Sequence, residues 1–362
     1  MKKQQKIFFD FLRFCIGAAK EIPVSLKDAD WKELYAIAKK QCLVGVLFDG
    51  IKKLPAEHVG MKKELLLQWM TESQMLEKTN IRLNDATIHV SEWFRKKGFR
   101  TCILKGQGNA LMYPNPYSRT PGDIDIWVEG GDNRVISFVR SISPHEKACY
   151  HHIEFPSYKG IEVEVHYRPS FLLCFWHNRK LQKYYERVKE EQFSHRVMLG
   201  EQGEIAIPTV EFNLIFQLTH IFSHLMNEGI GLRQLLDYYY VISMLSVNCE
   251  MLTSLQKELK ELGLWKFAGA IMYIMQEVFG MHASRLIVPP NEKYGRFVLN
   301  EVLEAGNFGR HDERYWFGKS KLGHNLQRVY RDIRLVTYFP AEALCEPIFR
   351  TWHFFWRMKN KK

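Results

Sequence analysis

Apolar and polar positions follow two rhythms along this chain, and the change of rhythm divides it. Over the first hundred residues the spacing is helical: Trp31, Leu34, Tyr35 and Ile37-Ala38 recur every third or fourth position with charges between them. Asp28 or Asp30 is placed to cap that helix. From Lys62 to Lys97 neither Pro nor Gly interrupts the pattern, which predicts one long helix with Leu65, Leu66, Trp69, Met70, Met75 and Leu76 on its buried face. Gly98, after Arg95-Lys96-Lys97, is a helix-ending signal.

The middle of the chain changes to a period of two. Thr101-Cys102-Ile103-Leu104 is a short apolar run that ends at Lys105-Gly106. Asp123-Ile124-Asp125-Ile126-Trp127-Val128 and Ile161-Glu162-Val163-Glu164-Val165-His166-Tyr167 alternate as strands, each with one face to bury. A helix is expected over Asn133–Ser141, and a further strand over Lys147–Phe155, turning through Pro156 to Gly160. Helical spacing returns from Phe171, with stretches at Glu211–Asn227, Leu232–Leu245, Leu252–Leu262 and Lys266–Phe279. The pattern predicts an α+β protein: a sheet core over 99–170, between a helical N-terminal region (1–98) and a helical C-terminal region (171–362).

The 362 residues are enough for roughly two average domains. A hydrophobic fraction of 46% with 25% charged residues excludes a disordered or collagen-like chain. The net charge of +11 favours an anionic partner: nucleotides, nucleic acid or a membrane surface. Residues 319–362 carry much of that excess, with ten basic residues against three acidic ones. The seven cysteines are widely spaced and lack a C-x-x-C, which speaks against a disulfide framework or a cysteine zinc site and for a reducing compartment. Asp10 and Arg13 break the N-terminal apolar run, so it is a poor signal peptide. The most apolar long stretch, Phe212–Asn227, is short for a bilayer and holds Asn213, Gln217, His220 and His224. A cytoplasmic protein with no transmembrane segment is expected.

The chemistry concentrates in the acidic strands. Asp123 and Asp125, two apart, project to one face while Ile124 and Ile126 bury on the other. Two neighbouring carboxylates repel each other and are best tolerated around a divalent cation, for which hard oxygen ligands favour Mg2+, or Mn2+. Glu162, Glu164 and His166 share one face of the later strand. If that strand lies beside the first, Glu164 or Glu162 adds the third carboxylate of a two-metal site for phosphoryl or nucleotidyl transfer. The other D-x-D, Asp28-Ala29-Asp30, lacks that context and reads as a helix cap. Leu104-Lys105-Gly106-Gln107-Gly108 stands where a strand meets a helix, a place where backbone N–H groups and Lys105 can meet phosphate. It is neither a P-loop nor a dinucleotide fingerprint; Gly318-Lys319-Ser320 lacks the required Gly at Glu313.

The strand–Lys105-Gly106–helix turn, Tyr113-Pro114-Asn115-Pro116, Arg119 and Gly122-Asp123-Ile124-Asp125 together resemble the DNA polymerase β-like nucleotidyltransferase superfamily, and within it the bacterial uncharacterised nucleotidyltransferase family. His151-His152, Glu164-Val165-His166 and Gly231-Leu232-Arg233-Gln234-Leu235-Leu236-Asp237 share the resemblance, which spans roughly residues 30–340. It implies a mixed sheet core flanked by helices that binds Mg2+ and a nucleoside triphosphate, ATP being the expected donor of an adenylyl group. Residue by residue, Asp123 and Asp125 match the metal-binding pair, Glu164 the third carboxylate with Glu162 as the alternative, and Lys105 and Gly106 the turn. The superfamily usually has Gly-Ser or Gly-Gly where this chain has Gly106-Gln107, so a serine contact to phosphate is missing. The acceptor, whether small molecule, protein hydroxyl or RNA end, is left open. A non-catalytic nucleotide-binding or protein-interaction module on the same fold is the alternative.

Other residues carry two readings. Arg119 contacts phosphate or pairs with a carboxylate. His166 orients a ligand or is a hydrogen-bonded structural histidine. His151 and His152, adjacent on a strand, are expected on opposite faces, so at most one faces the site. His220 and His224 are expected to make core or interdomain hydrogen bonds. Arg233 either pairs with Asp237 one helical turn on or reaches the cleft toward phosphate. The tail, Phe349–Lys362, is expected to dock by its aromatics with its charges solvated; a basic aromatic surface for RNA or lipid is the other reading.

Overall fold

The computed structural model describes residues 2–55, 60–201, 203–246, 249–312, 314 and 321–360. Four helices come first: α1 (Lys3–Cys15), α2 (Trp31–Lys40), α3 (Val44–Ile51) and the long α4 (Lys63–Lys96). The second Asp of the first D-x-D caps α2, the Asp30 carboxylate accepting from the Lys32 and Glu33 amides. Asp28 instead pairs with Lys3 at 3.1 Å on the surface. The buried side of α4 differs from expectation. Trp69 is buried, but Met75 is 62% exposed, and burial concentrates in the second half, at Leu83, Ala86, Val90 and Phe94. That half lies against the sheet, which supplies its apolar partners.

The sheet has four strands, β1 (Thr101–Ile103), β2 (Ile124–Val128), β3 (His152–Tyr158) and β4 (Ile161–His166), in the order β1-β2-β4-β3. β2 and β4 run parallel and the outer pairs antiparallel, so the sheet is mixed. The parallel pair is the arrangement the acidic strands needed: Asp125 lies opposite Glu164 and Trp127 opposite His166. The turn-like α5 (Gln107–Ala110) follows β1, and α6 (Gly131–Ile142) separates β2 from β3. Ile124, Ile126, Val128, Val163 and Val165 bury beneath α4 and α6.

Two strand expectations are corrected. β2 is buried on both faces, because Trp127 on the Asp125 side packs on Phe193 and Phe212 from the helices behind. β3 begins at His152 rather than Lys147 and runs on through Pro156. That proline is tolerated because β3 is the sheet's edge and its register with β4 shifts between Phe155 and Tyr158.

Helices return as expected with α7 (Phe175–Ser194), α8 (Val210–Asn227), α9 (Leu232–Met244), α10 (Cys249–Glu261), α11 (Trp265–Glu277), α12 (Glu292–Ala305), α13 (Lys321–Val336) and α14 (Pro340–Lys359). Between α7 and α8 stands a hairpin the helical reading passed over, β5 (Arg196–Leu199) with β6 (Gly203–Ala206). One apolar cluster joins the N-terminal and C-terminal helices, from Phe8 to Phe349, and a second holds the sheet. No helix among the described residues is long and apolar enough to cross a membrane. Lys319, Lys361 and Lys362 of the basic tail, and the Gly318-Lys319-Ser320 stretch, lie outside the described residues.

Candidate active site

The site is built where β2 and β4 run side by side. Parallel pairing sets Asp125 and Glu164 at the same level, and Asp123 stands one residue before β2. One carboxylate oxygen from each of Asp123, Asp125 and Glu164 lies within 4.8 Å of the others. Glu162, the alternative third carboxylate, is exposed and outside this group. The three line a cavity of about 690 Å3, walled by the sheet on one side and by α8, α9 and α14 on the other.

The electrostatics differ sharply between the two aspartates. Asp125 is almost fully buried, and both Lys105 Nζ (2.8 Å) and His166 Nε2 (3.0 Å) lie on its Oδ1. Burial alone would raise its pKa, but Lys105 and His166 outweigh it and hold the carboxyl well below its usual range. His166 is driven the other way. Burial opposes its charge, yet its contacts with Asp125 and Glu164 push it up to about 9. Asp123 lacks such partners: the Asp125 charge, reinforced by burial, raises it to about 6. A well-compensated carboxylate therefore sits beside a poorly compensated one.

Gly106 makes the turn that delivers Lys105. Its φ of +57° lies in the region that favours glycine, and a Cβ there would stand 3.5 Å from the Asp123 carbonyl. Gln107, at the position usually held by Ser or Gly, is buried and turned away from the cavity, donating to Asn84 and the Asn80 carbonyl on α4. Lys105 Nζ is also 3.1 Å from His220 Nε2, which is 3.0 Å from His224 Nε2. His220 thus hydrogen-bonds to the turn after β1, whereas His224 bonds locally to His220 and Glu228, both histidines lying on the cavity wall. Burial, then the Lys105 charge, holds His220 well below the usual imidazole range.

His151 and His152 both line the cavity, against expectation. His151 precedes β3, so strand alternation does not govern it; its Nε2 is 3.1 Å from His152 Nδ1, which is 3.4 Å from Glu164. Burial pushes His152 down to about 4.

The two arginines divide their roles. Arg119 is on a carboxylate: its Nε and Nη2 each donate to Asp237 at 2.8 Å, and Tyr113 Oη donates to the same Asp237 at 2.7 Å, all three side chains being buried. Asp237 therefore pairs with Arg119 rather than with Arg233 one turn earlier. Arg233 donates from Nη1 to the Thr120 carbonyl at 3.1 Å, its buried Nε has no hydrogen-bond partner, and it makes no salt bridge among the described residues. It lines the cavity beside Gly122. Burial, then the neighbouring Arg119 charge, lowers its pKa.

The cavity also contains residues that sequence reasoning passed over. Gln217 on α8 donates to Asn109 at 2.9 Å behind the site. Arg328 from α13, and Glu346, Phe349, Arg350 and His353 from α14, complete the wall. The charge count of the tail noticed Arg328 and Arg350 but gave no sign that they fold back over the sheet. The donor chemistry suits a hard divalent cation: three oxygen ligands converge, and Lys105 only partly offsets the charge on Asp123.

The sequence model of the uncharacterised nucleotidyltransferase family matches residues 27–280, well over half of the chain. The chain belongs to this family. Carboxylates, lysine turn and Arg233 all fall inside the matched span, whereas α13 and α14 lie beyond it. No curated protein matches the chain. Among solved structures, an antigenic nucleotidyltransferase-like protein from Paracoccidioides brasiliensis is similar over 59% of this chain and 96% of its own, at 14% identity and a TM-score of 0.33.

Proposed function

We propose that the protein transfers a nucleotidyl group, adenylyl from ATP, to an acceptor hydroxyl. The acceptor oxygen attacks the α-phosphorus, the O–Pα bond forms, the bond to the β,γ-phosphates breaks, and pyrophosphate leaves with the electron pair. The acceptor proton passes to a carboxylate, Glu164 being the one beside the exposed cavity. The observation that carries this reading is the convergence of Asp123, Asp125 and Glu164 within 4.8 Å on two parallel strands. Mg2+ or Mn2+ held by these three would neutralise phosphate charge and lower the pKa of the acceptor hydroxyl. Lys105 and His166 keep Asp125 ionised as a ligand. Arg233, charged and without a salt-bridge partner among the described residues, is directed at phosphate oxygens, while Gly106 allows close approach of the chain. Arg119 acts indirectly: locked to Asp237, it fixes the helix turn that presents Arg233.

A second reading, a non-catalytic nucleotide-binding module, draws support from Gln107, which turns away from the cavity where a phosphate-binding serine would stand. One experiment separates the two. The protein is incubated with Mg2+ and ATP labelled at either the α- or the γ-phosphate, with pools of small hydroxyl compounds, RNA and protein as acceptors. Transfer of the α label with pyrophosphate release is the expected result. Transfer of the γ label instead, or ATP binding with no transfer to any pool, would contradict nucleotidyl transfer.

A further inference from the structure

Away from the carboxylates, the N-termini of α7 and α14 bring a second set of metal-ligating side chains together. Cys174 and His177 stand three residues apart at the start of α7, and Glu342 and Cys345 three apart at the start of α14. Each pair therefore shares one helix face. Glu342 reaches across to α7: its Oε2 accepts from the Leu173 amide at 2.6 Å and the Cys174 amide at 3.0 Å, and its Oε1 lies 3.2 Å from His177 Nδ1. The Cys174 sulfur, a His177 ring nitrogen and a Glu342 oxygen all lie within 4.8 Å of one another. The Cys345 thiol neighbours Cys174 and accepts from the Phe175 amide, but it stands outside this group of three. Cys174, Cys345 and Glu342 are buried, while His177 keeps a quarter of its side chain exposed.

The imidazole is held in place from behind. A Cβ at Gly263 would stand 2.3 Å from His177 Cε1, so only glycine fits there, and Gly263 also has a φ of +70°. Helix capping by Glu342 accounts for its two amide bonds. It does not account for a buried thiol and an imidazole gathered on the same carboxylate.

We propose that Cys174, His177 and Glu342 hold a zinc ion, with water in the fourth tetrahedral position, at a site separate from the carboxylate cluster that staples α14 to α7. The ligand set, one thiolate with one imidazole and one carboxylate, suits zinc rather than magnesium. Ligands about 2.0–2.3 Å from a tetrahedral metal stand roughly 3.3–3.8 Å from one another, close to the 3.2 Å between Nδ1 and Oε1. The amide bonds to Oε2 then orient the carboxylate as an outer shell does. The consequence reaches the nucleotide cavity, because α14 carries Glu346, Phe349, Arg350 and His353 into its wall. The zinc holds that wall without touching the reacting groups. A lone C-x-x-H whose third ligand, Glu342, lies 165 residues beyond His177 escapes any search for a cysteine motif.

The test uses the full-length protein, kept reduced, loaded with zinc and desalted, with metal content measured by mass spectrometry. One equivalent of zinc is expected in the wild type and in Asp123→Asn alike. Cobalt exchanged into the wild type should give the intense visible bands of a tetrahedral site and a thiolate-to-cobalt charge-transfer band in the near ultraviolet. Cys174→Ser should weaken zinc binding by at least tenfold. Less than a tenth of an equivalent in the wild type, or loss of the metal in Asp123→Asn, would overturn the site. So would a cobalt spectrum without the charge-transfer band, and that readout decides the matter even where Cys174→Ser fails to fold.

Discussion

Asp123 and Asp125 are two residues apart and chemically unlike. Asp125 has Lys105 and His166 on one oxygen, whereas at Asp123 the repulsion of its neighbour and burial outweigh the more distant Lys105 charge. Asp123→Asn and Asp125→Asn should each abolish metal-dependent nucleotide binding, read by calorimetry, without loss of fold. Asp28→Asn, at an exposed pair with Lys3, should change stability by no more than about 0.5 kcal/mol. Asp30→Ala removes the α2 cap and should cost on the order of 1 kcal/mol in urea unfolding. Because Asp123 titrates at about 6, protons compete with the metal there, and apparent Mg2+ affinity should climb as pH rises through that value. His166 acts on stability with the opposite sense of charge. Its folded pKa of about 9 lies above the ordinary imidazole value, so its contribution is complete below about pH 6.5 and is lost as pH rises through 9. The gap in urea midpoint between wild type and His166→Asn should accordingly shrink from pH 6 to pH 10; a gap that widens would contradict the assigned ion pairs.

Among the elements, long uninterrupted patterns were the legible ones. The Lys62–Lys97 pattern corresponds to a helix over Lys63–Lys96, and the acidic strands fall where the alternation put them. What the pattern lacked was partners. The exposure of Met75 and the burial of both β2 faces follow from which elements pack against them, and a single sequence does not say that. The β5–β6 hairpin did leave a signal, apolar Val197, Leu199 and Ile205 around a turn begun by Gly200, but strong helical patterns on either side masked it. His151 escaped because it stands one residue outside the strand whose alternation was applied to it. In the candidate site, Asp123, Asp125 and Lys105 were readable from local patterns around one strand, and Glu164 from the alternation of its own strand. The Arg119–Asp237 link was not, since a bond between residues 118 positions apart has no local trace. That link joins the segment before β2 to α9 by a buried ion pair. Arg119→Ala should destabilise the protein by about 3–5 kcal/mol, as loss of one buried partner does. Arg233→Ala should leave the unfolding midpoint nearly unchanged and weaken nucleotide binding instead. Equal losses of stability in the two variants would remove the distinction drawn between them.

At the scale of the molecule, the sheet supplies one wall of the cavity and the C-terminal helices the other. α14 docks through Phe349, buried among Tyr150, Phe171 and Phe175, while Phe354 and Phe355 stay exposed. The tail therefore docks as expected, with part of its aromatic surface left in solvent. Truncation before Phe349 should lower the thermal midpoint by several degrees and widen access to the carboxylates, since it removes the ring packing together with Arg350 and His353. Family membership and the mixed sheet give the chain its class, and the carboxylate trio carries the claim that the class is put to use. The most direct test of that claim is calorimetric titration of the full-length protein with each nucleoside triphosphate, with and without Mg2+, on wild type and Asp123→Asn. The account predicts binding that requires the metal, is strongest for ATP, and disappears in the variant. Binding that is unchanged by removing Mg2+ or by Asp123→Asn would contradict it.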